Sequence, residues 1–222
     1  MTFAQQILSY QFALKPPFPL QNEVEWLMPY EDPETRRVMT DFYMRYYNDT
    51  NQRTFILGIN PGRFGAGVTG VPFTDPVRLE KLGIENSFSK KQELSSVFIY
   101  DMIDACGGPD QFYSKYYIAS LSPLGFIRHG KNYNYYDDRS LSDSVRGYII
   151  QNLQTQFQFG ANPDLVYCLG QGKNYTNLQK LNDEYHWWKR VEALPHPRWI
   201  MQYKLKSKDQ FLDLYKSTLS VD

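Results

Sequence analysis

The 222-residue chain contains little cysteine and little histidine, two and three residues respectively. Two cysteines are too few for a disulfide scaffold or for a Cys₄ zinc or iron–sulfur site, and no histidine has an adjacent acid or cysteine pattern. A chain of this length buries about 70% of its unfolded surface without disulfides or metal. Cys106 and Cys168 lie in apolar surroundings, which is typical of reduced core residues in a cytosolic protein. We expect no metal and no cofactor.

The chain also lacks long apolar runs and an excess of charge of either sign. No stretch of about 18 apolar residues is present, and the first residues carry no basic segment, so we expect neither a membrane span nor a signal peptide. Lysine plus arginine number 24, as do aspartate plus glutamate, and the formal net charge is zero. This balance argues against a large polyanion as partner, because nucleic-acid-binding domains are usually basic. The expected location is the cytoplasm, or the nucleoid in a bacterium.

Four short segments predict the strands of one sheet. They are 54–58, 116–121, 164–169 and, more weakly, 190–194. The first three are continuous apolar runs, as in parallel strands that are buried on both faces. Helical patterns occur at 5–14, 94–106, 141–157 and 174–182. A further helix is predicted to begin at Pro33, with Asp32 as its N-cap. This alternation predicts an α/β layered fold with its active edge at the carboxyl ends of the strands, and one domain over residues 1–222 with 1–50 as its helical N-terminal part.

A loop rich in glycine and proline follows the first predicted strand. It begins Gly58-Ile-Asn-Pro-Gly-Arg-Phe-Gly65 and continues to Phe73. Such a loop lets the backbone approach a ligand closely, although a plain strand-to-helix turn is the alternative. It matches neither the Walker A motif nor the dinucleotide fingerprint. Asn60 stands at the end of the strand, where its amide can donate to an acceptor and accept from a water; a simple turn residue is the alternative.

Further motifs follow in order along nearly the whole chain. They are Glu23-Val-Glu-Trp26, Thr69-Gly-Val-Pro-Phe73, Ser122-Pro-Leu-Gly-Phe126 with Gly130-Lys-Asn132, Leu165-Val-Tyr-Cys-Leu-Gly170 and Val191-Glu-Ala-Leu-Pro-His-Pro197. Together with Gly58-Ile-Asn-Pro-Gly62, they resemble the single-strand-selective monofunctional uracil-DNA glycosylases of the uracil-DNA glycosylase superfamily. The resemblance implies a three-layer α/β/α sandwich around a four-stranded parallel sheet. It also implies hydrolysis of the N-glycosidic bond of uracil, or of a related damaged base, flipped out of DNA during base excision repair.

The same resemblance implies roles for individual residues. Asn60 would position or polarise the attacking water, and His196 would donate a hydrogen bond to the base oxygen on which negative charge develops. Phe73 would stack on the flipped base. The other implied base contacts are Ile59, Gly62, Ala66 and Ser120, and the implied DNA contacts are Gly65, Lys131, Asn132, Arg198, Trp199 and Lys204. The motif holds no carboxylate beside Asn60 and no lysine nucleophile is evident, so we expect slow, monofunctional turnover.

Two positions depart from the family's pattern. Ser120 stands where the family has an asparagine that reads the uracil edge, so this hydroxyl acts through a water or the pocket accepts a larger base such as xanthine or hypoxanthine. The last motif becomes His196-Pro-Arg-Trp-Ile-Met201 without the family's Ser-Pro pair. Trp199, Ile200 or Met201 is then the candidate wedge that inserts into the DNA helix, and the alternative is that these side chains belong to the core.

Two other functions are compatible with these residues. One is a DNA- or nucleotide-binding protein of the same fold that has lost the chemistry, and the other is an enzyme that acts on free nucleosides. The zero net charge also conceals two basic stretches, one with Arg198, Lys204, Lys206 and Lys208 and the other with Arg128, His129 and Lys131. We expect a monomer that contacts a few phosphates of single- or double-stranded DNA, with an affinity that falls steeply as salt rises; a solvated basic face is the alternative.

Overall fold

Seven strands and ten α-helices run through residues 1–219, the part of the chain that the structure, a computed structural model, describes. The strands are β1 (Val24–Leu27), β2 (Arg53–Gly58), β3 (Tyr116–Ser120), β4 (Gly125–Arg128), β5 (Lys131–Tyr133), β6 (Ala161–Leu169) and β7 (Arg190–Leu194). The helices are α1 (Phe3–Ala13), α2 (Pro33–Tyr46), α3 (Ala66–Thr69), α4 (Pro76–Lys81), α5 (Leu94–Ala105), α6 (Pro109–Lys115), α7 (Arg139–Phe157), α8 (Lys173–Tyr185), α9 (Pro197–Tyr203) and α10 (Lys208–Thr218). A short 3₁₀ turn, Leu205–Ser207, joins the last two.

Four parallel strands in the order β3-β2-β6-β7 form the central sheet. In the inner strand β2, Phe55, Ile56 and Leu57 are each at most 1% exposed, because helices cover both faces. This burial explains why the sequence of the strand does not alternate between polar and apolar residues. The four predicted strands and the α/β/α fold are therefore confirmed.

A second, antiparallel sheet in the order β1-β4-β5 has no counterpart in the sequence prediction. Its strands have only three or four residues each, too few for a periodic pattern to stand out. The helices α1, α2, α5, α7 and α8 occur where the sequence predicts them, whereas α3, α4, α6, α9 and α10 were not predicted. The small sheet is important for the site because the chain leaving β5 runs beside the loop that follows β2.

The N-terminal helix shares the aromatic core of the sheet. Phe3 of α1 stacks on Tyr47 at a centroid distance of 5.8 Å and meets the edges of Phe55 and Tyr117. Arg53 is fully buried below this cluster, where its guanidinium pairs with Asp49 at 2.8 Å. Since a buried arginine needs a fixed partner, this pair ties the start of β2 to the segment that precedes it.

The two cysteines are both free. Cys168 in β6 is fully buried, as predicted, and burial raises the pKa of its thiol to about 12. Cys106, the C-cap residue of α5, is only half-buried and packs against the edge of the core, so it is less buried than the sequence predicts. Among the helices of residues 1–219, none combines the length and the apolarity that crossing a membrane requires.

Candidate active site

A cleft of about 270 Å³ lies at the carboxyl ends of the central strands. Its walls are the loop after β2, the end of β3 and the first turn of α9. The residues predicted for catalysis and base binding that line it are Ile59, Asn60, Gly62, Ala66, Phe73, Ser120 and His196. A larger cavity of about 470 Å³ lies beside α1 and α7, but the residues within 1–219 that line it include no histidine and no carboxylate, so the cleft is the better candidate for catalysis.

The side-chain amide of Asn60 is fixed by the chain that leaves β5. Its Nδ2 donates to the carbonyl oxygens of Tyr133 at 3.2 Å and of Pro61 at 3.3 Å, and its Oδ1 accepts from the backbone N–H of Tyr135 at 3.2 Å. Both amide protons are thus in use, while Oδ1 keeps one lone pair. Asn60 therefore presents a fixed acceptor to the cleft, which suits a water O–H better than it suits a ligand carbonyl.

His196 is held as a neutral imidazole at the N-terminus of α9. As the N-cap residue, its Nδ1 accepts from the backbone N–H of Arg198 at 3.1 Å. An accepting Nδ1 places the proton of the neutral ring on Nε2, which can then donate. Burial, together with a smaller effect of the nearby charge of Arg198, lowers the pKa of His196 to about 4. At neutral pH the cleft therefore holds a hydrogen-bond donor that carries no charge.

The depressed pKa of His196 predicts an acid-sensitive fold. The unfolded chain binds a proton near pH 6.5, whereas the folded protein does so only near pH 4, so stability is complete above pH 6.5 and is lost as the pH falls towards 4. From this group alone, we expect the free energy of unfolding to fall by roughly 2 kcal/mol between pH 7 and pH 5. Urea unfolding at both pH values measures it. The variant His196→Asn should lose this difference in stability between pH 7 and pH 5. The control His186→Asn, which replaces an exposed histidine, should keep it.

Phe73 supplies an aromatic wall in a strained conformation. Its φ of 54° lies in the left-handed region that bulky residues avoid, and such outliers concentrate at functional sites. The ring packs closely on Gly58, where an added Cβ would lie 3.0 Å from Cε2 and would push the ring away. The ring centroid is 6.1 Å from that of His196. The half-buried ring can therefore form one face of a pocket for a planar group beside the histidine.

Ser120 lies at the end of β3, opposite Gly58 in the parallel register. It lines the cleft and is half-buried, and its hydroxyl forms no hydrogen bond with any residue of the described range 1–219. An unengaged hydroxyl can donate to a ligand or accept from it, and can equally hold a water. The position therefore offers less discrimination between bases than a rigid bidentate amide.

One carboxylate in the cleft was missed by the sequence prediction. Glu93 comes from the N-terminus of α5, and its side chain reaches the loop after β2. Its carboxylate occupies the space where a Cβ of Gly65 would be, and its Oε1 lies 3.4 Å from the Cβ position of Gly62. No sequence pattern indicates this contact, since about 30 residues separate the two segments. The motif around Asn60 holds no carboxylate, but a distant segment brings one into the same cleft.

This contact also changes the interpretation of two residues predicted to bind DNA. Gly65 makes room for Glu93 rather than simply exposing its backbone to a ligand. Asn132 accepts from the backbone N–H of Arg63 at 3.0 Å through its Oδ1, so it braces the loop after β2. These contacts give both residues a part in the shape of the loop, and their predicted contact with DNA stays a prediction.

The predicted wedge residues separate into exposed and buried positions on α9. Trp199 is 42% exposed and lines the cleft, whereas Ile200 is fully buried and Met201 is half-buried against the core. Ile200 is therefore excluded as a wedge, because the helix turns it inwards. Tyr203, which is 67% exposed and also lines the cleft, was not considered in the sequence prediction. An apolar, exposed rim thus remains on one side of the cleft.

The two basic stretches are only partly available to a ligand. Lys208 pairs with Asp101, and the guanidinium of Arg128 lies over the ring of Tyr133 and donates to its hydroxyl at 3.2 Å. The exposed basic side chains of these stretches that form no ion pair within residues 1–219 are Lys131, Arg198, Lys204 and Lys206. The Nζ of Lys204 lies 5.6 Å from the ring centroid of Trp199. The basic edge is therefore smaller than the sequence indicates.

A fixed amide, a neutral imidazole and an aromatic wall at the carboxyl edge of a parallel sheet define an enzyme site for a small planar group. A sequence model of the uracil DNA glycosylase superfamily matches residues 44–219. The crystal structure of wild-type SMUG2 from Pedobacter heparinus has 45% sequence identity and a TM-score of 0.94, with 98% of this chain and 97% of that chain covered. The chain belongs to the uracil-DNA glycosylase superfamily. It is a DNA glycosylase, a hydrolase of base excision repair whose partner is DNA.

Proposed function

We propose that the protein hydrolyses the N-glycosidic bond of uracil, or of a related deaminated base, after the base has rotated out of DNA into the cleft. The observation that carries this proposal is the pairing of a fixed acceptor on Asn60 with an uncharged donor on His196 in one cleft. A base inside a duplex cannot reach such a cleft, so the enzyme must extrude it or act on a single strand. Among the described residues 1–219, those that line the cleft include no lysine that could act as a nucleophile, which supports a monofunctional reaction.

The two groups act on opposite charges of the transition state. As the C1′–N bond breaks, positive charge develops on the sugar and negative charge on an oxygen of the departing base. The Nε2–H of His196 donates to that oxygen, and a donor fixed in advance stabilises the transition state more than the ground state. The Oδ1 of Asn60 accepts from the water and directs its oxygen to C1′. Phe73 replaces the stacking that the base loses when it leaves the helix.

The cleft supports a broader choice of base than uracil alone. Ser120 offers a single hydroxyl where a bidentate amide would enforce one hydrogen-bond pattern. A water held by this hydroxyl completes the pocket for uracil, and its displacement makes room for a larger deaminated base such as hypoxanthine or xanthine. We therefore assign Ser120 to base recognition with relaxed specificity, together with the backbone of Ile59 and Gly62 and the buried Ala66.

The rim of the cleft supports DNA engagement through few phosphates. Arg198, Lys204 and Lys131 are exposed beside it, while Trp199 and Tyr203 provide the aromatic surface that fills the gap left by a flipped base. Because exposed aromatic and basic groups lie side by side here, they suit nucleic acid better than a second copy of the chain. We propose that the protein acts as a monomer on single- or double-stranded DNA, in the cytoplasm or on the nucleoid.

A panel of oligonucleotides tests the proposed function. Single strands and duplexes carry uracil, hydroxymethyluracil, hypoxanthine, xanthine or a thymine mispair, and alkali reveals abasic sites after incubation. We expect slow release of uracil with strand cleavage only after alkali, as a monofunctional enzyme requires. Binding without release of any base would contradict the proposal and favour a binding protein, and release from free deoxyuridine would favour a nucleoside enzyme.

A further inference from the structure

Glu93 reaches the cleft from the N-cap position of a helix, where a side chain normally bonds to the first backbone N–H groups. It is the N-cap residue of α5, yet its side chain makes no capping hydrogen bond. Its backbone N–H donates to the Oδ2 of buried Asp75 at 2.8 Å, so the start of the helix is anchored by another residue. The carboxylate of Glu93 is thereby left to extend over Gly62 and Gly65 into the cleft.

The carboxylate of Glu93 lacks a structural use within residues 1–219. It is half-buried and forms neither a hydrogen bond nor an ion pair with a described residue. Burial and the neighbouring charge of Asp75 raise the pKa of Glu93, and Arg198 on α9 offsets only part of this effect. A carboxylate at this place is costly, since it is desolvated and also repels the phosphates of DNA. A role towards the bound substrate would compensate for that cost.

The position of Glu93 relative to Asn60 suits proton transfer. Its Oε1 lies beside Gly62, only two residues beyond Asn60 on the same loop, and both side chains line the one cleft. Asn60 can orient a water but cannot take its proton, because an amide is not a base at neutral pH. A carboxylate is such a base, and burial, which raises the pKa of Glu93, makes it a stronger one than an exposed carboxylate.

We propose, on the basis of the proposed glycosylase function, that Glu93 is the catalytic general base, which deprotonates the water that Asn60 orients. The water oxygen forms a bond to C1′ and one of its protons moves to a carboxylate oxygen of Glu93. The C1′–N bond breaks, and its electron pair leaves with the base, which His196 stabilises. The base then takes up a proton from solvent and Glu93 returns its proton to solvent, so the step is balanced. The negative charge of Glu93 also stabilises the sugar cation before the water adds.

The test compares Glu93→Gln with the wild-type protein in single-turnover excision of uracil across pH 4.5–8.5. Glutamine keeps the shape of the side chain and removes the base, so we expect a loss of about 100-fold at neutral pH. The wild-type rate should fall as the pH drops through the pKa of Glu93, and Glu93→Gln should abolish this acid limb. The charged and titratable groups around Glu93 are Asp75 at the start of α4, Arg198 on α9 and His196 across the cleft. If Glu93 causes the fall in rate at low pH, His196→Asn should still show that fall.

Controls separate the possible outcomes. Glu80→Gln removes an exposed carboxylate of α4 that pairs with Lys90, and should leave the rate and the pH profile unchanged. Glu93→Asp keeps a carboxylate on a shorter side chain, so it should retain the acid limb at a lower rate even if Glu93→Gln fails to fold. A Glu93→Gln protein that excises uracil at the wild-type rate with the same limb would overturn the role of Glu93 alone. Lack of excision by the wild-type protein would overturn the glycosylase function itself.

Discussion

Replacing Asn60 with alanine should lower the single-turnover rate of uracil excision by about 1000-fold. The variant loses the side-chain acceptor that Asn60 presents to the attacking water, while His196 and Phe73 keep their places. Single-turnover kinetics on a uracil-containing oligonucleotide measure the loss. Binding of the variant to the same oligonucleotide should stay close to that of the wild-type protein, because Asn60 contacts the water rather than the DNA.

Asn60 also contributes to the stability of the fold, and this effect has to be separated from its effect on the rate. Its amide also bonds to the backbone of Tyr133 and Tyr135, so alanine leaves these groups unpaired and costs about 1–3 kcal/mol of stability. The matched control is Asn134→Ala, which removes another amide that lines the same cleft but bonds to Asp137. It should excise within threefold of the wild-type rate. A loss of less than tenfold in Asn60→Ala would contradict the assigned role.

The sequence predicts the sheet well because local patterns carry the information. The run at β2 is continuous and apolar, and its ending in Gly58-Ile-Asn-Pro-Gly62 marks the edge where the cleft forms. Phe73 lies further along the chain that leaves β2, and His196 follows β7 of the same sheet. Since the carboxyl ends of parallel strands converge, residues distant in sequence meet there without any long-range information.

The parts that could not be predicted depend on contacts between distant segments. Glu93 has no motif of its own, and its position above Gly62 and Gly65 follows from how α5 packs on the loop. The bracing of Asn60 depends on β5, a strand of three residues with no detectable period. The burial of Ile200, by contrast, follows a local pattern. Ile200 is buried together with Pro197 three residues earlier, and this helical spacing indicates the inward face of α9.

The basic surface available to DNA also depends on contacts between distant segments. The sequence gives a count of basic residues along the chain, but the pairing of Lys208 with Asp101 and the packing of Arg128 on Tyr133 are tertiary contacts. The cations left for DNA lie mainly beside Trp199 and Tyr203. A chain of zero net charge can therefore present a basic and aromatic rim at one place, and its affinity for DNA depends on that rim rather than on the total charge.

Replacing His196 with asparagine should lower uracil excision by about 100- to 1000-fold, because the donor to the departing base is lost. Asparagine is among the best N-cap residues, so the bond to the backbone N–H of Arg198 can be kept and α9 should stay folded at pH 7. The loss should therefore appear in the rate of excision rather than in stability or DNA binding. Single-turnover kinetics, thermal unfolding and binding to the same oligonucleotide measure these three quantities.

The identity of the leaving group distinguishes a donor to the base from a group that only shapes the pocket. A base such as 5-fluorouracil carries negative charge more easily, and so depends less on help from the imidazole. The defect of His196→Asn should shrink on 5-fluorouracil relative to uracil, whereas the defect of Asn60→Ala, which concerns the water, should be similar on both bases. Equal defects of His196→Asn on the two bases would show that the Nε2–H of His196 does not act on the departing base. The contrast between the two variants then shows that His196 acts on the departing base and that Asn60 acts on the water that attacks the sugar.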